Sequence, residues 1–183
     1  MASLPSHAVF ALALGSWLAP EPERRRTLLA GAMLAMLPDS DALGHWLGVA
    51  RSSLLAHRGI THSLSMALGV GLGVGYLLSR QRTETGVRLR MLAYCVVAML
   101  SHGLLDACTD GGRGVAFFAP WSGARYFFPF RPITVSPIGI QGVFGERGLR
   151  ILLSEARWIG VPSALLIGSA LLWRAPARGH PRD

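Results

Sequence analysis

Imidazoles and carboxylates are concentrated in four short polar stretches, each beside an apolar run: Ser6-His7, Pro38-Asp39-Ser40-Asp41, His57-Arg58-Gly59-Ile60-Thr61-His62-Ser63 and Ser101-His102-Gly103-Leu104-Leu105-Asp106. Imidazole nitrogen and carboxylate oxygen are the usual ligands of the zinc and manganese ions that carry out hydrolysis. Placing ionisable groups in so apolar a chain has a large desolvation cost, which a bound cation offsets. The chemistry to expect is a metal site built into a membrane, where the ion lowers the pKa of a water and stabilises developing negative charge.

The spacings constrain which residues can act together. His102 and Asp106 stand at i and i+4, on one helix face, and can grip a single ion; a purely structural His–Asp pair is the competing reading. His57 and His62 are five apart and on a regular helix would point away from each other, so they need a loop-to-helix junction. Gly59 permits the turn and Thr61 or Ser63 can cap the following helix, leaving one histidine before it and one in its first turn. Asp39 and Asp41 after Pro38 can bridge a metal pair or divide into ligand and general base, although an Asp-rich turn also simply caps a helix. With His7, the expected ligand set is His7, Asp39, Asp41, His57, His62, His102 and Asp106. Asp39, Asp41 and Arg58 are the candidate catalytic residues. Arg58, Arg125 and Arg131 are candidates for binding an anionic substrate, because guanidinium pairs with phosphate through two parallel hydrogen bonds; headgroup anchoring explains them equally well. Glu155 is either a late ligand or an arginine's partner, and His45 and His180 lie outside the polar stretches.

The elements that must position these residues are apolar. Of 183 residues 51% are hydrophobic and only 15% charged, against roughly 25% charged in an average soluble protein, which points to a membrane protein. The length suits one domain, residues 1–173, followed by a short polar, disordered tail at 174–183. The runs Ala8 to Ala19, Leu28 to Leu37, Leu64 to Leu78, Met91 to Leu105 and Trp158 to Trp173 read as helices. Only the last three approach the roughly 20 residues needed to cross a bilayer, so the first two must tilt, extend, or enter it partly. The first run has neither a basic leader nor a small-residue cleavage site and is expected to stay in the mature protein. Cys95 and Cys108 are too few for a disulfide framework or a cysteine zinc site. Gly69, Gly71, Gly73 and Gly75 follow no strand, and read as a close-packing helix face rather than a nucleotide loop.

The net charge of +8 comes from arginine alone. It sits in clusters: Arg24 to Arg26, then Arg80, Arg82, Arg88 and Arg90, then Arg174, Arg178 and Arg182. Placing all three on the cytoplasmic side lets five spans alternate with the N-terminus outside. Every candidate ligand then falls at the extracytoplasmic face. The stretch from Thr109 to Arg157 is placed outside too, although it holds six arginines, because long loops weigh less in the rule. Its Phe117, Phe118, Trp121, Tyr126, Phe127, Phe128, Phe130 and prolines suit an interfacial loop folded over a site. A basic face with interleaved aromatics is missing, so nucleic acid is not the expected partner.

The histidine stretch His57 to Ser63, together with Ser101-His102, Asp106 and Thr109, resembles the YdjM-like membrane-bound metal-dependent hydrolases. The likeness extends to His7, the Pro38-to-Asp41 turn, and Phe128-Pro129-Phe130-Arg131 leading to Ser136-Pro137. That family is distantly similar to the zinc-dependent phospholipase C and P1 nuclease group of helical phosphodiesterases. The resemblance implies an ordered ligand series of His7, Asp39 or Asp41, His57 or His62, and His102 with Asp106. A second His-x-x-x-acid pair after Asp106 is missing, which implies one or two ions rather than three.

The expectation is therefore an all-α, polytopic bundle of about five apolar helices with a long aromatic and proline-rich extracytoplasmic loop, in a bacterial-type cytoplasmic (inner) membrane. It binds zinc, or manganese, and membrane lipid, and hydrolyses an anionic phosphoester, including phospholipid as a substrate class. Asp39 or Asp41 handles the proton and Arg58 holds the anionic group. A non-catalytic metal transporter or sensor is the alternative; it predicts ligands near the bilayer midplane and a polar path to both faces. A soluble helical hydrolase, with the apolar runs packed together in water, is the third reading.

Overall fold

The computed structural model describes residues 1–137 and 145–175, whose regular elements are all helices, with two isolated β-bridges and no strand among the described residues. Helix α1 (Leu4–Leu18) is followed by α2 (Arg24–Met36). Pro38 has no N–H to continue the α-helical ladder, and the chain tightens into a 3-10 turn at Leu37–Ala42 before the short α3 (Leu43–Trp46). A second 3-10 turn, Ile60–His62, precedes α4 (Leu64–Ser79), then comes α5 (Thr85–Ala107). The last helical stretch runs from α6 (Glu146–Glu155) through a π-helical turn (Ala156–Gly160) into α7 (Val161–Arg174).

All five apolar runs lie in helices to within a residue or two. Two helices, Thr85–Ala107 and Glu146–Arg174, are long and apolar enough to cross a membrane, while α1 and α4 are shorter apolar helices. The 16 residues of α4 reach about 24 Å at 1.5 Å per residue, short of the roughly 30 Å hydrocarbon core, although the sequence grouped this run with the longer ones. The final helix begins at Glu146, twelve residues ahead of the apolar run, so the end of the expected long loop is helix. There Ile151 and Glu155 face inward while Leu149, Leu152 and Leu153 face outward. The expected disordered tail falls mostly outside the described residues.

Helix α5 is central and packs against α1, α2 and α4. The α4 interface depends on two of the four glycines: a Cβ on Gly71 would come within 2.7 Å of the Val96 backbone, and one on Gly75 within 2.8 Å of Leu92 Cα. Gly69 and Gly73 face open space. Tyr94 fills the layer between α1 and α2, its hydroxyl donating to the Ala11 carbonyl at 3.0 Å.

Arg82 pairs with Glu23, Arg24 donates to the Ser16 carbonyl, and Arg90 donates to the carbonyls of Trp17 and Leu18. These contacts gather the first two arginine clusters at the end of the bundle where α1 stops and α5 starts. The His/Asp stretches lie at the other end: His7 near the start of α1, Asp39 after α2, His62 before α4, and His102 and Asp106 in the last turns of α5.

Candidate metal centre

Four chain segments bring their polar stretches to one buried point. Ser63 caps α4, its hydroxyl accepting from the Met66 N–H at 3.1 Å, which sets the entry angle of the preceding turn. His62 closes that 3-10 turn and therefore lies just before the helix rather than in its first turn. Gly59 is required where it stands, because a Cβ there would overlap the Leu54 and Ala56 carbonyls. Arg58 is the one non-glycine residue with positive φ among those described, at 64°. Such a conformation costs roughly 1–3 kcal/mol and persists only where the surroundings over-determine it.

Asp39, His62, His102 and Asp106, all buried, each offer one ligand atom within 4.8 Å of the others. His102 Nε2 is 2.9 Å from His62 Nε2 and 3.4 Å from Asp39 Oδ1, and His62 Nε2 is 3.6 Å from Asp106 Oδ2. His102 donates from Nδ1 to the Ala35 carbonyl at 2.6 Å, since a carbonyl can only accept, and this leaves the Nε2 lone pair aimed at the cluster. His7 stacks on the His102 ring at 3.8 Å, with its Nε2 3.6 Å from Asp106 Oδ1.

A second group, Asp41, His57 and His62, adjoins the first. The His62 ring lies between the two, with Nε2 toward Asp39, His102 and Asp106 and Nδ1 3.2 Å from Asp41 Oδ2. Asp41 accepts from His57 Nδ1 at 2.7 Å and from the Thr61 hydroxyl. Burial alone would raise the Asp41 pKa, but the hydrogen bonds from His57 and His62 outweigh it and hold the carboxyl well below its ordinary value. For His62 burial favours the neutral ring, yet hydrogen bonds to Asp106 and Asp41 dominate and raise the pKa to about 9.

The cluster leaves buried ligand atoms without hydrogen-bond partners. Both carboxylate oxygens of Asp39, both ring nitrogens of His7, and Nε2 of His57 are buried with no hydrogen-bond partner among the described residues. A buried carboxylate with no hydrogen-bond donor costs several kcal/mol, which a bound cation offsets. Imidazole nitrogens and carboxylate oxygens converging on one point fit a divalent ion. The Asp/His group is thus positioned to hold a metal.

Of the three arginines singled out in the sequence, Arg58 is 1% exposed and turned inward. Its Nε donates to Asp106 Oδ2 at 2.9 Å, Nη2 to Thr109 Oγ1 at 2.8 Å, and Nη1 to the Gly111 carbonyl at 3.0 Å. In this position it orients Asp106, whose other oxygen accepts from the Ala2 N–H at 3.0 Å. Arg125 braces the histidine stretch by donating to the His57 and Arg58 carbonyls, and burial followed by the nearby Arg113 charge lowers its pKa. Arg131 is exposed and lies over the Phe127 ring. Glu155 is neither ligand nor arginine partner: its carboxylate accepts from the Ser3 N–H and from the hydroxyls of Ser3 and Ser6, fixing the start of α1 and with it His7. The sequence signal for that role was Ser3 and Ser6 one helical turn apart beside His7.

Fold and site together define a class: an apolar all-helical protein carrying, at one end of the bundle, a buried His/Asp group positioned to hold a metal ion. The family model described as YdjM inner membrane protein matches residues 1–177, and the chain belongs to that family. It is also similar to the Inner membrane protein YbcI of Escherichia coli (strain K12), with 38% identity over 174 residues, covering 95% of this chain and 99% of that protein. Family and relative place the chain in the inner membrane. No solved structure matches it.

Proposed function

We propose that this protein is a membrane-embedded, metal-dependent hydrolase that cleaves a phosphoester. The observation that carries the reading is the set of donor-starved ligand atoms on His7, Asp39 and His57 around the buried cluster. With imidazole predominant, zinc is the expected metal, with manganese second, and two adjoining groups that share His62 accommodate one or two ions. Bound there, a divalent ion supplies Lewis acidity and activates water near neutral pH.

The chain's own residues divide the remaining work. Asp39, His62, His102 and Asp106, with His7 beside them, hold the ion; Arg58 and Ala2 fix the orientation of Asp106. Asp41 takes the Nδ1 proton of His57 in a hydrogen bond and so leaves His57 Nε2 to exchange a proton at the edge of the cluster. This gives Asp41 and His57 the proton-handling role and Asp39 the ligand role. The arginine-rich end of the bundle supports a site on the extracytoplasmic face by the positive-inside rule.

A transporter would need a polar path through the bundle. One turn deeper than each ligand, the chain instead buries Ala11, Leu34, Ala67, Ala98 and Met99, which favours a site open at one end only. The test is hydrolysis of a chromogenic phosphodiester and of phospholipid in mixed micelles, by zinc-loaded and chelator-stripped protein. Metal-dependent turnover that falls by roughly 100-fold or more in His57→Gln, with the ion of the Asp39, His62, His102 and Asp106 group retained, is expected. A well-folded, metal-loaded protein that cleaves neither substrate would overturn the hydrolase reading.

A further inference from the structure

Beside the metal cluster lies a cavity of about 390 Å³, within the usual range for small-molecule sites. His57 and Arg58 line its inner wall, so it abuts both the proton-handling pair and the cluster. Three arginines from distant parts of the chain converge on it: Arg51 from the loop after α3, Arg113 from the segment after α5, and Arg147 from the first turn of α6. All three are exposed, Arg113 donates to the Arg51 carbonyl, and among the described residues none of the three has a carboxylate within ion-pair distance. Like charges brought together around one hollow with no counter-charge repel each other, and an anion in the hollow relieves that repulsion. The rest of the wall includes Val49 and Val135, so the space has an apolar side as well.

The elements that carry the lining residues point to where the anion comes from. On α3 and just after it, Trp46 is 71% and Leu47 81% exposed; on α6, Leu149, Leu152 and Leu153 also face outward. Large apolar side chains next to arginines on two flanking elements are the composition of a surface that sits in the headgroup region of a bilayer.

We propose that this cavity receives the phosphate of a membrane-lipid phosphoester, with Arg51, Arg113 and Arg147 as its anion contacts. The proposal rests on the hydrolase reading, whose substrate class it narrows. It also moves anion recognition away from Arg58 and Arg125, which are engaged with the cluster and its loop.

The test is calorimetric binding of dihexanoylphosphatidate and of inorganic phosphate to detergent-solubilised protein, metal-loaded and metal-stripped. Wild type is compared with Arg51→Gln/Arg113→Gln and, separately, Arg147→Gln; the latter sits on another element and keeps the test valid if the loop variant misfolds. The short-chain lipid is expected to bind, each variant weakening it by roughly tenfold, with metal content and melting temperature unchanged. Inorganic phosphate is expected to bind at least about tenfold more weakly than the lipid. Variants that bind the lipid like wild type overturn the cavity assignment, and phosphate binding as tightly as the lipid overturns the lipid assignment. Arginine-dependent binding by a protein that cleaves no phosphoester keeps the cavity and ends the hydrolase reading. Turnover of phospholipid that survives all three substitutions unchanged does the reverse.

Discussion

At the scale of single residues, the site is organised by what each polar group lacks or holds. Arg58 is held: buried, strained at φ 64°, and bonded to Asp106, Thr109 and Gly111. Removing its guanidinium leaves the Asp106 carboxylate uncompensated, so Arg58→Ala should destabilise the protein by about 3–5 kcal/mol in denaturant titrations, and Arg58→Lys should not restore the forked contacts. A merely substrate-binding Arg58 would leave stability unchanged. His62 gives a pH signature. Its folded pKa, about 9, stands above the ordinary 6.5, so its contribution in the metal-free protein is complete below pH 6.5 and lost as pH rises through 9. Metal-free protein should therefore melt at a lower temperature at pH 9.5 than at pH 6.5. Saturating zinc should reverse the trend, because the metal needs the neutral ring. A melting temperature independent of pH in the metal-free protein would contradict this. The i, i+4 pair of His102 and Asp106 was readable from sequence because helix geometry alone puts both on one face. The inward turn of Arg58 was not, since no sequence pattern marks an arginine for the left-handed region.

At the scale of elements, the apolar runs were legible because a helix that buries one face and greases another leaves an unbroken apolar record. The start of α6 was hidden: Glu146, Arg147, Arg150 and Gly148 look like loop composition, and the bonds of Glu155 to Ser3 and Ser6 that tie the end of the helix to the start of α1 are visible only in three dimensions. The glycines of α4 were rightly read as a packing face, but which ones pack could be seen only in three dimensions. Gly75→Val should separate α4 from α5 and cost about 1–3 kcal/mol, whereas Gly73→Val, on the open side, should change stability by less than about 0.5 kcal/mol. Thermal unfolding of the two variants in detergent checks the pair. Equal effects would place the interface elsewhere.

At the scale of the whole molecule, the arginines of the first two clusters and the His/Asp ligands lie at opposite ends of the bundle, with buried apolar residues between them. The arginine clusters were visible in sequence as a topology signal. The convergence of Arg51, Arg113 and Arg147 was not, because their separation along the chain gives no hint of a shared cavity. The central claim is that the buried His/Asp group holds a divalent metal. Elemental analysis of protein purified in detergent tests it most directly, comparing wild type with Asp39→Asn and His102→Ala/Asp106→Ala. The account predicts one or two equivalents of zinc or manganese in wild type and loss of the metal in both variants. Well-folded wild type that holds no metal after reconstitution with either ion would contradict the account and leave these side chains as buried polar pairs and turn residues.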